Sequence, residues 1–412
     1  MKTKKKTPIL ASVRECTGCS ACADSCGHNA ISMVVRDDGH KYPQLDSTKC
    51  ILCKACEKAC PVRSNMQYGT NRGNSTPLAA WTFDKNLINL SASGGIFAAI
   101  ATHILEIGGY VVGAVSEGNS VRHIIIDNII DLHRLQGTKY LQSDTTGVYR
   151  QIKSLLLRGK TVLFSGTGCQ VGGLLQYLKK PYLNLYTIDL VCAGVPSSLI
   201  LTRFCKEEHI EPEYIRWRDK EHGWQHGLQI TILEKGEQKK FGPQNCFFGG
   251  GFLGGATNRW SCYKCRFTGA NRISDFTVGD YWGCTKWREQ WHDGVSVLIV
   301  HSFHGESFLK ECDIITQPTN WRDCTYSNPR VLLGNSPLMG VAFERRLLPW
   351  AFKHLNYSTL KKIYAGNLTN KDILWLPYKL FKFMRWKLTQ IVTKDQLQKA
   401  LTQIVNQRIN EG

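Results

Sequence analysis

The sequence has no apolar run long enough to span a bilayer. It also lacks a secretory core: residues 1–10 are basic, and only a brief apolar patch separates them from Arg14, so no leader peptide is expected. Acidic residues are scarce, with 33 Asp and Glu against 52 Lys and Arg, which leaves a net charge of +19. That charge comes without the basic–aromatic pattern of a known nucleic-acid-binding fold. Nucleic acid is therefore not an expected partner, and an acidic electron-carrier protein suits the basic surface better. A disulfide framework is disfavoured too, since it belongs to small secreted domains and this chain has 412 residues.

Cysteine is the opposite case. The chain has 17, and eight of them fall into two runs. Cys16, Cys19, Cys22 and Cys26 follow the spacing C-x2-C-x2-C-x3-C. Cys50, Cys53, Cys56 and Cys60 repeat it 34 residues later, and Pro61 closes the second run. A [4Fe-4S] cube needs four thiolates converging on one small inorganic core. Two-residue gaps let a tight loop aim successive sulfurs inward, but one short loop cannot wrap all four corners. In two-cluster ferredoxins the fourth cysteine of each run serves the other cluster. The expected sets are therefore Cys16, Cys19, Cys22 with Cys60, and Cys50, Cys53, Cys56 with Cys26. Structural zinc more often shows two C-x2-C pairs, and three cysteines at successive two-residue gaps overcrowd a tetrahedral site. The first run continues Gly27-His28-Asn29, where a proline commonly follows the fourth cysteine, so a looser turn is expected there.

The length implies two or three domains. Residues 1–68 read as a two-cluster ferredoxin-like domain. Its extended runs at 30–35 and 41–45 flank Asp37-Asp38-Gly39-His40, a hairpin signal. A linker rich in Gly, Asn, Ser and Thr follows at 65–77. Residues 77–340 then alternate strands (79–83, 110–115, 121–127, 161–165, 186–191 and 295–301) with helices (96–107 and 148–158). This is an α/β arrangement, whose ligands belong at the strand carboxyl ends. Residues 341–412 read as a basic helical region, with 13 Lys and Arg against 4 Asp and Glu, nearly half of the whole net charge. Within it Trp375, Tyr378, Phe381, Phe383 and Trp386 interleave with Lys379, Lys382, Arg385 and Lys387. Such a mixture suits peripheral contact with an anionic membrane, or a helix packed on the rest of the protein. Pro377 marks a helix start or break, and the lack of a one-sided apolar face favours packing.

Several shorter motifs stay open on their own residues. Ser91, Ser93, Gly94 and Gly95 precede a helix, where amides can meet a phosphate at the positive end or simply cap the helix. Gly137-Thr138-Lys139-Tyr140 forms a loop after a short helix. Cys169 and Cys192 both follow expected strands, which puts them on one rim of the sheet, and Cys262 with Cys265 forms a later C-x2-C pair. These four can hold a further cube, a structural zinc, or no metal at all as buried thiols. Cys205, Cys246, Cys284, Cys312 and Cys324 lack ligand spacing and read as packing residues. Asp280 follows a strand and either touches a ligand or caps a turn. His222 and His226 flank Trp224 and are ordinary structural histidines or proton donors.

Ser93-Gly94-Gly95, Gly137-Thr138-Lys139-Tyr140, Gly166-Thr167-Gly168-Cys169-Gln170, Asp189-Leu190-Val191-Cys192, Ser261-Cys262-Tyr263-Lys264-Cys265 and Gly279-Asp280 stand in that order behind the dicluster domain. Together they resemble the beta-subunit family of coenzyme F420 hydrogenase/dehydrogenase, in the form with a ferredoxin domain fused in front. The resemblance covers residues 13–305. It implies an α+β dicluster domain, an α/β flavoprotein domain and the basic helical extension. It implies FAD, held by Ser91, Ser93, Gly94, Gly95, Gly137, Thr138, Lys139, Tyr140, Gly166 and Thr167. Lys139 and Asp280 are then the catalytic candidates. It also favours a third [4Fe-4S] cluster at Cys169, Cys192, Cys262 and Cys265. The implied function is an iron–sulfur flavin-dependent oxidoreductase, passing electrons between a ferredoxin or deazaflavin donor, the clusters, FAD and an unidentified substrate. An electron-transfer subunit without its own substrate is the alternative, and a basic iron–sulfur nucleic-acid-binding protein the rival from another class. A reducing cytoplasm is the natural setting for so many thiolates. Two departures stand out: Gly168 replaces a proline usual in the family, and Ala193 a histidine common in bacterial relatives.

Overall fold

The computed structural model describes residues 6–64, 75–226, 229–242, 252, 255–270, 272–335, 343–365 and 376–411. Most of the linker at 65–77 lies outside them, as do Cys246 and Trp375. In the N-terminal module β1 (Ile31–Val35) and β2 (Lys41–Leu45) pair antiparallel, Ile31 opposite Leu45 and Val35 opposite Lys41. Their turn uses Gly39 at φ +75°, a conformation glycine adopts without penalty. Each cysteine run ends in a short helix, Ala21–Asp24 and Ala55–Ala59. The internal repeat is visible in the backbone. Gly18 and Leu52 have φ of 70° and 60°, and Ser20 and Lys54 have 60° and 61°. Left-handed residues at the same two places in both halves curl each loop tightly, so successive cysteines face one centre.

The second module is built on a mixed eight-stranded sheet. Its strands are β3 (Pro77–Trp81), β4 (Tyr110–Glu117), β5 (Ser120–Ile126), β6 (Val162–Gly166) and β7 (Leu185–Leu190), and later β11 (Phe276–Asp280), β12 (Ser296–Val300) and β13 (Ile315–Pro318). The spatial order is β13-β3-β12-β11-β7-β6-β4-β5. β4, β6, β7 and β11 are parallel neighbours, while β5, β12, β3 and β13 join antiparallel. Parallel strands need cover on both faces, and successive residues supply it. Val111 and Leu163 pack with Ile100 and Ile104 of the helix Ile96–Glu106. Val112, Val162 and Phe164 pack on the opposite side with Ile152 and Leu174. The helix Val148–Leu157 buries Val148, Tyr149, Ile152, Leu155 and Leu156, one stripe at helical spacing.

A separate three-stranded sheet was not anticipated from the sequence. It contains β8 (Tyr214–Arg216), β9 (Ile230–Glu234) and β10 (Glu237–Phe241). Its apolar face shares a core with the helix Ser198–Glu207 and with Leu348, Ala351 and Leu360 of the helices Phe343–His354 and Tyr357–Ala365. These basic C-terminal residues therefore pack on the α/β module. The final helix, Leu376–Glu411, has 36 residues and is roughly 54 Å long at 1.5 Å per residue. Pro377 sits in its first turn, where a missing amide costs nothing. Leu397, Ala400, Leu401 and Ile404 pack against Trp321 and Val331, but the first half of the helix exposes its apolar side chains. Among the described residues no helix is long and apolar enough to cross a membrane.

One ion pair is buried in the sheet. Arg272 donates to Asp189 at 3.1 Å, both side chains are at most 1% exposed, and Thr277 donates to the same carboxylate at 2.5 Å. Asp189→Ala strands the guanidinium in a dry site and is expected to cost roughly 3–5 kcal/mol, read as a lower denaturation midpoint. Asp189→Asn, which keeps a hydrogen-bonding group, should lose less.

Candidate functional site

Cys16, Cys19, Cys22 and Cys60 line one small cavity of the N-terminal module, with Met33, Pro43 and Val62. Cys26, Cys50, Cys53 and Cys56 line a second, with Ile31 and Leu45. The fourth cysteine of each run thus joins the three of the other. Burial, and then neighbouring thiols, push Cys19 up to about 12 and raise Cys22 and Cys60 as well. Such thiols ionise when a metal takes the proton's place. Cys53 is exposed at the surface, so the two cavities form an outer and an inner pair.

The inner cavity abuts the sheet module. Thr145 Oγ1 donates to Cys19 O at 2.9 Å, and a Cβ on Gly173 would stand 2.9 Å from Cys19 Sγ. The Asp24 carboxylate accepts from Gly147 N at 2.6 Å and Tyr149 N at 3.0 Å, capping the helix Val148–Leu157 from the other module. Arg150 returns the contact through the carbonyls of Ala23, Asp24 and Cys26.

A much larger cleft opens at the carboxyl ends of the parallel strands. Its empty space is about 1400 Å³, open mouth included. Cys169, Cys192, Cys262 and Cys265 all line it. Cys169 lies in the first turn of the helix Gly168–Leu178 after β6, Cys192 just beyond β7, and the last pair around the turn Trp260–Lys264. Burial, followed by their mutual repulsion, raises Cys169, and Cys192 is pushed up to about 11. Among the described residues no three His, Cys, Asp or Glu side chains stand close enough to share a single metal ion. Ser91, Ser93, Gly95, Gly137, Thr138, Lys139, Gly166, Thr167 and Asp280 also line the cleft. So does Thr17, the neighbour of Cys16.

Two expected lining residues stand elsewhere. Gly94 donates its amide to Ser296 Oγ at 3.0 Å, and its missing side chain leaves room for Ala80 O. Tyr140 packs on Trp217 and Phe252. The hydroxyls of Ser91 and Ser93 are spent on the carbonyls of Leu87 and Val295. The start of the helix Ile96–Glu106, which no side chain caps, remains open towards the cleft through Gly95, Ile96 and Phe97.

Lys139 Nζ donates to the carbonyls of Leu135 at 2.9 Å and Gln136 at 2.7 Å, closing the short helix before it. Burial pulls Lys139 down to about 7. Asp280 has both oxygens engaged, Oδ2 by Arg218 at 2.6 Å and Oδ1 by Trp224 Nε1 at 2.9 Å. Arg218 is itself stacked 4.5 Å over Trp282, which lies face to face with Trp224. Asp280 is thereby part of a rigid wall. The sequence reading missed His123, which also lines the cleft between Ser143 Oγ at 2.7 Å and Ser165 O at 2.9 Å. Burial pushes it down to about 4, so it is neutral at physiological pH. Its strand position gave no local signal. Gly168 also finds its reason here: a Cβ would fall 2.3 Å from Phe267 O. Ala193 contributes a carbonyl that accepts from Asn258 at 3.1 Å.

Known proteins share both halves of this arrangement. Residues 15–64 match the 4Fe-4S dicluster domain. Residues 159–316 match the C-terminal region of the coenzyme F420 hydrogenase/dehydrogenase beta subunit. Over this region the chain is similar to that family. The family match spans β6 to the start of β13 and contains Cys169, Cys192, Cys262 and Cys265. Together the two matches make the chain an iron–sulfur electron-transfer oxidoreductase related to F420 hydrogenase beta subunits. No curated protein matches. Among solved structures, a chain of the F420-reducing [NiFe] hydrogenase complex from Methanosarcina barkeri aligns at 15% identity. The alignment covers 61% of this chain and 85% of that one, with a TM-score of 0.42, too distant a likeness to bear on function.

The cleft region makes stability depend on pH. Burial also pulls Lys220 down to about 7, and its ammonium donates to the carbonyls of Ile88 and Asp293. A lysine lowered from its ordinary 10.5 sheds its proton in the folded protein first, so the folded state gains stability as pH rises. Between about 7 and 9, below the range where the raised buried thiols act in the opposite sense, the denaturation midpoint should climb. Lys220→Met should flatten that climb while lowering the midpoint at every pH.

Proposed function

We propose that the chain is an FAD-dependent iron–sulfur oxidoreductase, moving electrons between a ferredoxin or deazaflavin donor and a substrate. One observation carries this reading. Four cysteines, the open end of a helix and the Cys16–Gly18 loop of the dicluster module all border a single cleft. In this reading Cys16, Cys19, Cys22 and Cys60 hold the inner cube and Cys26, Cys50, Cys53 and Cys56 the outer one. Cys169, Cys192, Cys262 and Cys265 hold a third. Four thiolates on a cube each bind their own iron, and all four of these cysteines border one cleft. When bound, the clusters supply one-electron transfer and the flavin the junction with two-electron chemistry. The amides of Gly95, Ile96 and Phe97 offer a phosphate the positive end of a helix. Lys139 stands in the cleft wall, where its protonated form favours a negatively charged neighbour. Thr138 and Thr167 add polar groups to the same wall. Anaerobic reconstitution should give about twelve iron atoms per chain, four per cube, and one FAD. Near eight iron removes the third site, and absence of flavin after loading with excess FAD sinks the reading.

The tail supports a second contact, with an anionic membrane surface. Leu380, Phe381, Phe383, Met384, Trp386 and Ile391 are each more than half exposed, an apolar density that calls for cover. Lys387 lies 5.7 Å from the Phe383 ring and 5.3 Å from that of Trp386, so rings and cations occupy one level, as an interfacial helix requires. The packed second half anchors this segment on the protein. Co-sedimentation with phosphatidylserine vesicles should be strong at low salt, weaken as salt rises, and fall at least tenfold in the double variant Phe383→Ser, Trp386→Ser. Equal sedimentation of the double variant would assign the face to something other than lipid.

A further inference from the structure

Four arginines are buried among the described residues. Three of them have an aspartate: Arg218 pairs with Asp280, Arg272 with Asp189 and Arg345 with Asp38. Arg259, wholly buried, has no carboxylate partner among the described residues. It turns instead to the inner cysteine loop. Nε donates to Cys16 O at 2.6 Å, and Nη2 to Lys41 O at 2.6 Å and to Cys16 Sγ at 3.6 Å. Nη1 donates to Gln142 Oε1 at 2.8 Å, and the guanidinium lies 4.3 Å from the Tyr42 ring centre. A Cβ at Gly18 would stand 2.8 Å from Nη1, so the glycine keeps this place open. Burial and then Arg259 push nearby His40 down to about 3, which leaves the imidazole uncharged.

A dry guanidinium without a negative partner is costly. Its position beside Cys16 Sγ identifies the missing partner. Four thiolates on a cube form an anion, and reduction adds one more negative charge. Burial alone works against that added charge and lowers the reduction potential, while hydrogen bonds and positive charge at the sulfurs raise it. The outer set is met differently: Arg150 reaches the Cys26 carbonyl at 2.9 Å, Lys49 and Lys54 line the cavity, Cys26 Sγ accepts from an uncharged amide, Ala30 N, at 3.3 Å, and Cys53 meets solvent, which screens these cations.

We propose that Arg259 is the fixed counter-charge of the inner cluster, holding its reduction potential high enough for an electron to settle there from the outer one. Arg259 is a positioning residue in this role, acting through Cys16 and not on substrate. The inference rests on the reading of Cys16, Cys19, Cys22 and Cys60 as a [4Fe-4S] site.

The test is an EPR-monitored redox titration of the full chain, reconstituted anaerobically, with iron and sulfide quantified beforehand. Arg259→Gln should make reduction of one cluster at least tenfold less favourable, equal to about 59 mV for one electron, with another cluster unmoved. Arg259→Lys keeps a charge but not the fork, and should shift the same signal in the same direction by less. If the glutamine variant loads less iron, the lysine variant decides. An unmoved potential in a fully loaded variant, or an equal shift of every cluster, overturns the inference. Failure of the wild-type chain to assemble any cube would instead overturn the ligand reading beneath it.

Discussion

The seating of the cysteine module on the helices Val148–Leu157 and Gly168–Leu178 is the contact on which the rest depends. Electron transfer falls off steeply with distance, so redox groups in separate modules are useful only if those modules meet closely. Here Cys19 and Ala21 belong to the same apolar cluster as Val171 and Leu174, and Gly173 lacks a side chain where Cys19 needs the space. The polar seams around that cluster include bonds that the Asp24 carboxylate accepts and bonds that Arg150 donates, and hydrogen bonds of charged groups are the stronger kind. Together they bring Thr17 of the inner cysteine loop to the cleft and leave Cys53 facing outward.

The cysteine spacing and the strand pattern made much of this legible. A repeat of two-residue gaps is a local property, and so is the alternation of apolar residues in Val111 and Val112 or in the run from Val162 to Phe164. The convergence of Cys169, Cys192, Cys262 and Cys265 is not local. It depends on β6, β7 and β11 lying side by side, which strand order decides and single motifs do not. The family resemblance supplied the grouping that spacing left open. Arg259 and His123 escaped notice for the same reason: their partners lie far away in sequence, and neither residue type is unusual in its neighbourhood. The small sheet of β8 to β10 was missed because its apolar face is completed in part by helices more than a hundred residues later.

Departures from a family pattern are informative when the structure shows what occupies the altered place. Proline suits the first turn of a helix, so Gly168 alone would suggest a weakened start to the helix that follows. The carbonyl of Phe267 occupies the space a side chain would fill, and Gln170 secures the turn by accepting from Thr167 N at 2.9 Å. The loop carrying Cys265 thereby approaches the helix carrying Cys169.

The cap that Asp24 provides has a consequence beyond geometry. The first turn of Val148–Leu157 takes two of its acceptors from a residue between Cys22 and Cys26, a segment whose shape depends on occupied metal sites. Cluster insertion and the integrity of the sheet module are therefore thermodynamically linked. A chain whose cysteine sites stay empty is expected to open more readily at this helix start, and proteases act on locally open states of this kind. By this linkage, chains with filled cysteine sites should outlast empty ones under proteolysis.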